Sequence, residues 1–247
     1  LRNLASRMVF RAAIRRSVAH ASSVSVPSRT TLEELAATFP GAAGKAFVSG
    51  EGQDLFEPGT APANREEAFL LYVGNARTYK NTSRLLVAYS RMRAIDPGFP
   101  PMTMVVRRDR AFPGFRRELE DCPGRKGITV VSEADDGQLR DLYVRCMGLV
   151  MPSLHEGFGL PALEAMAAGA PVVCSSGTAL EELAGDACIP VDPASVTDIM
   201  RGMAVLVSRP DLRLDLSRRG IARSAGFTWE KAAGKVAQEL ERMTSCT

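Results

Sequence analysis

The stretch Gly148-Leu149-Val150-Met151-Pro152-Ser153-Leu154-His155-Glu156-Gly157-Phe158-Gly159-Leu160-Pro161-Ala162-Leu163-Glu164-Ala165-Met166 decides the fold. It opens with a short apolar run, 148–151, which stops at Pro152 and reads as a buried strand. Two glycines and then Pro161 announce a helix, with the proline at the first helical position, where its missing N–H costs nothing. Another apolar run follows at 171–174. Strand, helix and strand in that order predict a βαβ unit with parallel strands.

Outward from this unit the alternation continues in both directions. Strands are predicted near 69–73, 102–106, 128–131 and 187–190, giving six with the two above. Between them Leu85, Leu86, Tyr89 and Met92, and again Leu139, Leu142, Tyr143 and Cys146, recur at the three- and four-residue spacing of one buried helix face. The expected fold class is α/β, a doubly wound parallel Rossmann-like sheet with a partial second domain. Helices are predicted at about 195–207, 210–225 and 228–243. Thr228 would cap the last, whose stripe runs Trp229, Ala232, Ala233, Val236, Ala237, Leu240 and Met243. Upstream, 22–26 and 45–48 read as strands and 28–39 as a helix opened by a Thr30-x-x-Glu33 capping box. Residues 49–66 carry glycine, proline and charge without periodicity and read as a linker. The expected divisions are 1–58 as the remnant of an N-terminal domain with the linker, 59–226 as the sheet domain, and 227–247 as a C-terminal crossover helix.

Composition sets the outer bounds. The chain has 247 residues, 45% of them hydrophobic and 24% charged, with net charge +3, which is ordinary for a globular protein. No apolar run approaches the roughly 20 residues that span a bilayer. Five scattered cysteines without a CxxC argue against a zinc ribbon or disulfide scaffold and for a reducing, cytoplasmic home. Two histidines are too few for a histidine-based metal centre, so no metal is expected. Residues 1–32 hold six arginines and no acid, and Leu4, Met8, Ile14 and Val18 lie among them. This pattern fits a solvated surface helix, with peripheral contact at the inner face of a membrane as the alternative. No nucleic acid is expected as partner. The chain opens at Leu1 without a methionine, and the expectation is a fragment of a longer protein.

In open parallel sheets ligands bind beyond the carboxyl ends of the strands. The loop after the first strand, Gly74 to Asn81, offers a glycine for close backbone approach and two cations, Arg77 and Lys80, before a helix. That suits a phosphate, although a glycine turn with solvated basic residues fits equally. Asp135 or Asp136 stands where a cap of the next helix belongs, and the same edge could read a base. The loop after the fourth strand is an anion cradle, because the glycines and Pro161 aim unpaired N–H groups at the strand edge. Glu156 before the cradle and Glu164 on the first helical turn would repel phosphate unless they grip hydroxyls. A ligand with phosphate in the middle and hydroxylated rings at both ends satisfies both requirements, and a nucleotide sugar is such a ligand.

His155-Glu156-Gly157-Phe158-Gly159-Leu160-Pro161 through Glu164, followed by Ala165-Met166-Ala167-Ala168-Gly169-Ala170-Pro171, resembles the E-x7-E region of retaining glycosyltransferases of family 4, which have the two-domain GT-B fold. Tyr72-Val73-Gly74 with Lys80-Asn81, Ser176-Gly177-Thr178, Glu182 to Ala187 and Phe227 to Ala233 support it. The resemblance covers roughly 22–243. It implies that Glu156 contacts hydroxyls of the donor sugar and that Glu164 holds the ribose hydroxyls. Lys80 would neutralise the diphosphate, with the N–H groups of Gly157, Phe158, Gly159 and Leu160 completing its grip, while Gly74 and Arg77 lie beside it. Asp135 or Asp136 lies near where relatives read the base. Asn75 stands where many members have arginine, and Arg107-Arg108-Asp109-Arg110 replaces the usual glycine-rich turn.

The resemblance further implies transfer of a sugar from a nucleotide-diphosphate donor to a saccharide or lipid-linked acceptor, with GDP-mannose slightly favoured. No Asp-x-Asp manganese grip is present in the sequence, so a metal-independent reaction without cofactor is expected. The first domain of such an enzyme is mostly absent, and the competing expectation is a nucleotide-sugar binding module without independent turnover. Exposed apolar stripes would then favour self-association. A dinucleotide-binding oxidoreductase fails because no G-x-G-x-x-G follows a predicted strand. A P-loop enzyme fails because Gly41 to Lys45 has the wrong spacing.

Overall fold

The computed structural model describes residues 4–57 and 69–245, with the side chains of 4–7 left aside. The expected domain boundary at 58/59, the second half of the 49–66 linker and Cys246 lie outside the described residues.

Alternating apolar residues build the main sheet. In β3 (Phe69–Asn75), Leu70 and Tyr72 face one side and Leu71 and Val73 the other, and all four are buried. A strand buried on both faces belongs inside a parallel sheet covered by helices. With β4 (Met102–Arg107), β5 (Ile128–Val131), β6 (Cys146–Met151), β7 (Val172–Ser175) and β8 (Cys188–Val191), it forms a six-stranded sheet of order β5-β4-β3-β6-β7-β8 in which every pairing is parallel. The doubly wound α/β sheet expected from sequence is the one observed. Helices α3 (Thr82–Ile95), α4 (Phe112–Glu120) and α8 (Val196–Ser208) cover one face. The other is covered by α5 (Asp136–Arg145), α6 (Leu160–Ala167) and α7 (Ala179–Ala184), with α9 (Pro210–Ser224) packed on α6. At Gly202 an added Cβ would lie 2.5 Å from Val191 Cγ1, so α8 approaches the sheet more closely than any larger residue permits. The chain reverses its direction of strand addition between β3 and β6, which makes the ends of those two strands the topological switch point.

Residues 4–57 form α1 (Leu4–His20), β1 (Val24–Val26), α2 (Arg29–Thr38) and β2 (Ala46–Val48), with β1 and β2 paired in parallel as a separate two-stranded sheet. Lys45 Nζ donates to the carbonyls of Val18 and Ala21, tying the last turn of α1 to the start of β2. α10 (Trp229–Ser245) returns across this segment. Ser23 Oγ donates to Glu239 Oε1 at 2.9 Å, and Gly52 approaches Trp229 N so closely that a Cβ would sit 2.2 Å away.

Two expectations need correction here. The cap of α2 is Ser28, whose Oγ accepts from Thr31 N at 3.0 Å, not the Thr30-x-x-Glu33 box. The helix starts at Arg29, and Glu182 of α7 reaches over and accepts from the N–H groups of Arg29 and Thr30 at 2.8 and 2.9 Å. Those hydrogen bonds hold the Glu182 carboxyl below its usual pKa, against the opposing effect of burial. The single stripe on α10 also divides in two. Ala232, Val236 and Met243 turn inward with Glu239, whereas Trp229, Ala233, Ala237 and Leu240 are exposed. A width of seven apolar positions exceeds what one contact surface covers.

Candidate functional site

The site is built at the switch point from the loops after β3 and β6. Asn75 ends β3, and the chain then makes a tight 3₁₀ turn over Thr78–Lys80 and enters α3 through Asn81 in the left-handed conformation, φ 61°. Asparagine tolerates that conformation because its short polar side chain finds local partners. Here Asn81 Nδ2 donates to the carbonyls of Pro152 at 2.8 Å and Pro193 at 2.7 Å, and Leu154 N donates to Tyr79 O at 2.7 Å. The first loop is thereby stapled to the second. Tyr72 OH donates to Asn75 O at 2.8 Å, and burial raises the phenol pKa, so it stays a donor.

On this scaffold Lys80 Nζ meets Glu156 Oε1 at 2.7 Å, and both residues are 8% exposed. Sequence reasoning assigned them separate partners, one a diphosphate and the other a sugar; the folded chain makes them partners of each other. Arg77 is turned away, 3.1 Å from Asp109 Oδ2 in the loop after β4, and remains solvent-exposed. Asp109 also accepts from Ala111 N at 2.8 Å, so Arg107-Arg108-Asp109-Arg110 shapes its own turn. Asn75 accepts from Arg77 N through Oδ1 at 3.1 Å.

Beyond Glu156 the chain passes Gly157, Phe158 and Gly159 into α6. Gly159 is the N-cap at φ 113°, with Leu180 Cδ2 only 2.4 Å from where a Cβ would stand, so both backbone angle and space demand glycine. α6 begins at Leu160, which puts Pro161 at the second helical position and Glu164 on the second turn, each one step later than expected. Gly159 O accepts from Ala162 and Leu163, and the N–H groups of Gly157, Phe158, Gly159 and Leu160 meet no carbonyl among the described residues. Free N–H groups at a helix start form a ready anion site. Gly157 O accepts from Thr31 Oγ1 at 3.0 Å, so α2 braces the loop from the N-terminal side. Ser153 Oγ, fully buried, has no hydrogen-bond partner among the described residues.

Glu164 faces a different environment. Its Oε2 accepts from Tyr143 OH at 2.7 Å, and no ion pair holds it among the described residues. Burial, with help from the charge of Asp136, pushes its pKa up to about 7, against the hydrogen bond from Tyr143. Asp135 is exposed and caps α5 by accepting from Gln138 N at 2.8 Å, with Gln138 completing the reciprocal box. The site therefore gathers Lys80, Glu156, the Gly157–Leu160 cradle and Glu164, while Arg77 and Asp135 are engaged elsewhere. Reasoning from sequence missed Asn81 as the staple and Tyr143 as the partner of Glu164. Tyr143 fell on the buried stripe of α5 and looked like core.

Residues 56–223 match the family model described as glycosyl transferases group 1. The chain belongs to this family. It is 34% identical over 172 residues to an O-antigen chain mannosyltransferase B of Escherichia coli, covering 66% of this chain and 43% of that protein. A D-inositol 3-phosphate glycosyltransferase of Streptosporangium roseum is 29% identical over 226 residues, 84% of this chain and 52% of that one. The chain thus spans about half the length of these curated relatives. Among solved structures, a sucrose-phosphate synthase from Thermosynechococcus elongatus superposes on all of this chain and 65% of its own, with TM-score 0.81 and 21% identity. An Anabaena protein solved with UDP and glucose covers 94% of this chain and 66% of its own, with TM-score 0.76 and 16% identity. These likenesses identify the GT-B fold expected from sequence. Among the described residues no helix is long and apolar enough to cross a membrane, and no cluster of three potential metal ligands occurs.

Proposed function

We propose that this chain is the donor-binding half of a retaining glycosyltransferase that moves a sugar from a nucleotide diphosphate to a saccharide or lipid-linked acceptor. The observation that carries the reading is the Lys80–Glu156 pair at the mouth of the Gly157–Leu160 cradle. A buried lysine paired with one carboxylate is poised to exchange that partner for a diphosphate, and the released Glu156 can then accept from sugar hydroxyls. Glu164, one helical turn further on, would accept from both ribose hydroxyls. As the bond from sugar to diphosphate breaks, Lys80 and the cradle offset the negative charge growing on the leaving group. Glu156 offsets the positive charge growing on the ring. In this reading the phosphate takes the acceptor proton, so neither a separate protein base nor a metal is required.

GDP-mannose is the favoured donor, supported by the mannosyltransferase names among the relatives. Residues 1–58 are read as what the chain holds of an acceptor domain, 59–226 as the donor domain and 227–247 as the crossover helix. The exposed Met8, Val9 and Phe10 on basic α1 would supply a peripheral membrane contact or a surface for self-association. The test is calorimetry of the chain with GDP-mannose, UDP-glucose and the free nucleotides, then a radiolabelled-sugar assay on saccharide and lipid-linked acceptors. Saturable donor binding that Lys80→Ala removes supports the reading. Absence of binding by every donor would refute it. Binding without transfer selects a binding module that needs the remainder of the enzyme.

A further inference from the structure

We propose that Tyr143 is a positioning residue for Glu164, seated by Phe56 of the segment that leads from the small sheet to the large one. The proposal rests on the reading above in which Glu164 grips the ribose hydroxyls. Tyr143 is fully buried on α5, and its hydroxyl donates to Glu164 Oε2 at 2.7 Å. Burial and the neighbouring carboxylate raise the phenol's pKa far above its usual value, so the group is a permanent donor. A carboxylate held through one oxygen can no longer rotate freely. Its second oxygen, Oε1, has no protein partner among the described residues and is left for a ligand.

The tyrosine is itself held. The Phe56 ring stands edge-on to it, centroids 6.3 Å apart at 73°. Phe56 is fixed in turn by a reciprocal pair with Gln53, Phe56 N to Oε1 at 2.9 Å and Nε2 to Phe56 O at 2.8 Å. Arg140, one turn before Tyr143 on α5, donates to Leu55 O at 2.7 Å. Cys146 Sγ at the start of β6 donates to Tyr143 O at 3.2 Å. The segment that joins the two sheets is thus latched onto the helix that orients Glu164.

The charged and titratable groups acting on Glu164 are Tyr143 and Asp136, both from α5. Neither α6 itself nor β6, β7, α7 or α9 contributes a charge that shifts it, and no cation is paired with it among the described residues. The vicinal hydroxyls of a ribose need the ionised carboxylate as acceptor. Ribonucleotide affinity should therefore rise with pH as Glu164 ionises near 7, and a nucleotide without those hydroxyls should not share that rise. Removing the phenol removes the hydrogen bond that favours the ionised form.

The test is equilibrium binding of GDP and UDP, each beside its 2′,3′-dideoxy counterpart, to the 247-residue chain between about pH 5.5 and about pH 8.5, bracketing the expected titration. Tyr143→Phe should move the midpoint for the ribonucleotide up by about one pH unit. At pH 7 it should cut the preference for ribo over dideoxy nucleotide about 3- to 10-fold and leave dideoxy affinity unchanged. 3-Fluorotyrosine at the same position, a stronger donor that keeps the ring, should move the midpoint the other way. Equal losses for ribo and dideoxy nucleotides, or an unmoved midpoint, would overturn the proposal and reduce Tyr143 to packing. Wild-type discrimination that Glu164→Gln abolishes but Tyr143→Phe spares would overturn this inference alone. Absence of any wild-type discrimination would overturn the ribose role of Glu164 along with it.

Discussion

Glu156 and Glu164 lie on one loop and the helix it feeds, yet the molecule treats them oppositely. Glu156 meets the Lys80 ammonium 2.7 Å away in a buried pair. Among the described residues Glu164 receives only a phenolic hydrogen bond, and burial lifts its pKa to about 7. A paired buried carboxylate is inert until the partner is exchanged, whereas an unpaired one is a titratable acceptor waiting for a donor. In the proposed reading the difference separates an electrostatic switch for phosphate from a hydrogen-bonding grip for hydroxyls.

The sharpest way to break this comparison is to remove one member of the ion pair. Lys80→Met or Glu156→Gln should each lose about 3–5 kcal/mol in urea unfolding, because a buried charge is left alone, while the double replacement Lys80→Met/Glu156→Gln recovers most of it. Glu156→Gln should also keep or gain nucleoside diphosphate affinity, since Lys80 then has no competing carboxylate. A single-mutant loss under 1 kcal/mol would mean the pair is solvated. Next comes the hinge between the two glutamates: Gly159→Ala should cost about 2–3 kcal/mol, from the strained φ and the collision with Leu180. Unchanged stability together with unchanged nucleotide affinity would show that the cradle does not fix their spacing.

Glu164 should show a smaller effect of opposite sign. Its folded pKa lies above the ordinary 4.5, so the folded state holds the proton more tightly, and the stability it contributes is lost as pH rises from about 4.5 to about 7. Glu164→Gln should therefore stabilise the ligand-free chain at pH 8 by about 1–2 kcal/mol and leave it little changed at pH 4.5, read by thermal melts. Destabilisation at pH 8 would mean that the carboxylate has an unseen partner. Asp136→Asn is the finest adjustment. Removing its like charge should lower the Glu164 pKa by a few tenths of a unit in an NMR titration, without moving the Lys80–Glu156 pair.

Much of this was legible beforehand because the signals are local. Alternating apolar runs located all six strands of the large sheet, and the glycines with Pro161 marked the cradle to within one helical position. The family resemblance rested on contiguous residues, 155–171, whose spacing survives without a structure. Local reading failed where a partner came from far along the chain. Nothing near Thr30 indicates that Glu182 will satisfy the first N–H groups of α2, and nothing near Tyr143 distinguishes a core tyrosine from one that holds a carboxylate. The α10 stripe was overread for the same reason, since the width of the surface it meets is a property of the segment it crosses.

The sequence by itself determined the parallel sheet, its two buried faces and the residue types brought to its carboxyl edge, because side-chain periodicity and backbone sterics act over a few residues. Tertiary structure alone decided which charges meet. Lys80 with Glu156, Arg77 with Asp109 and Tyr143 with Glu164 are pairings across separate loops and helices. Electrostatic interaction depends on distance and burial in space, and neither is written in the spacing of residues along the chain.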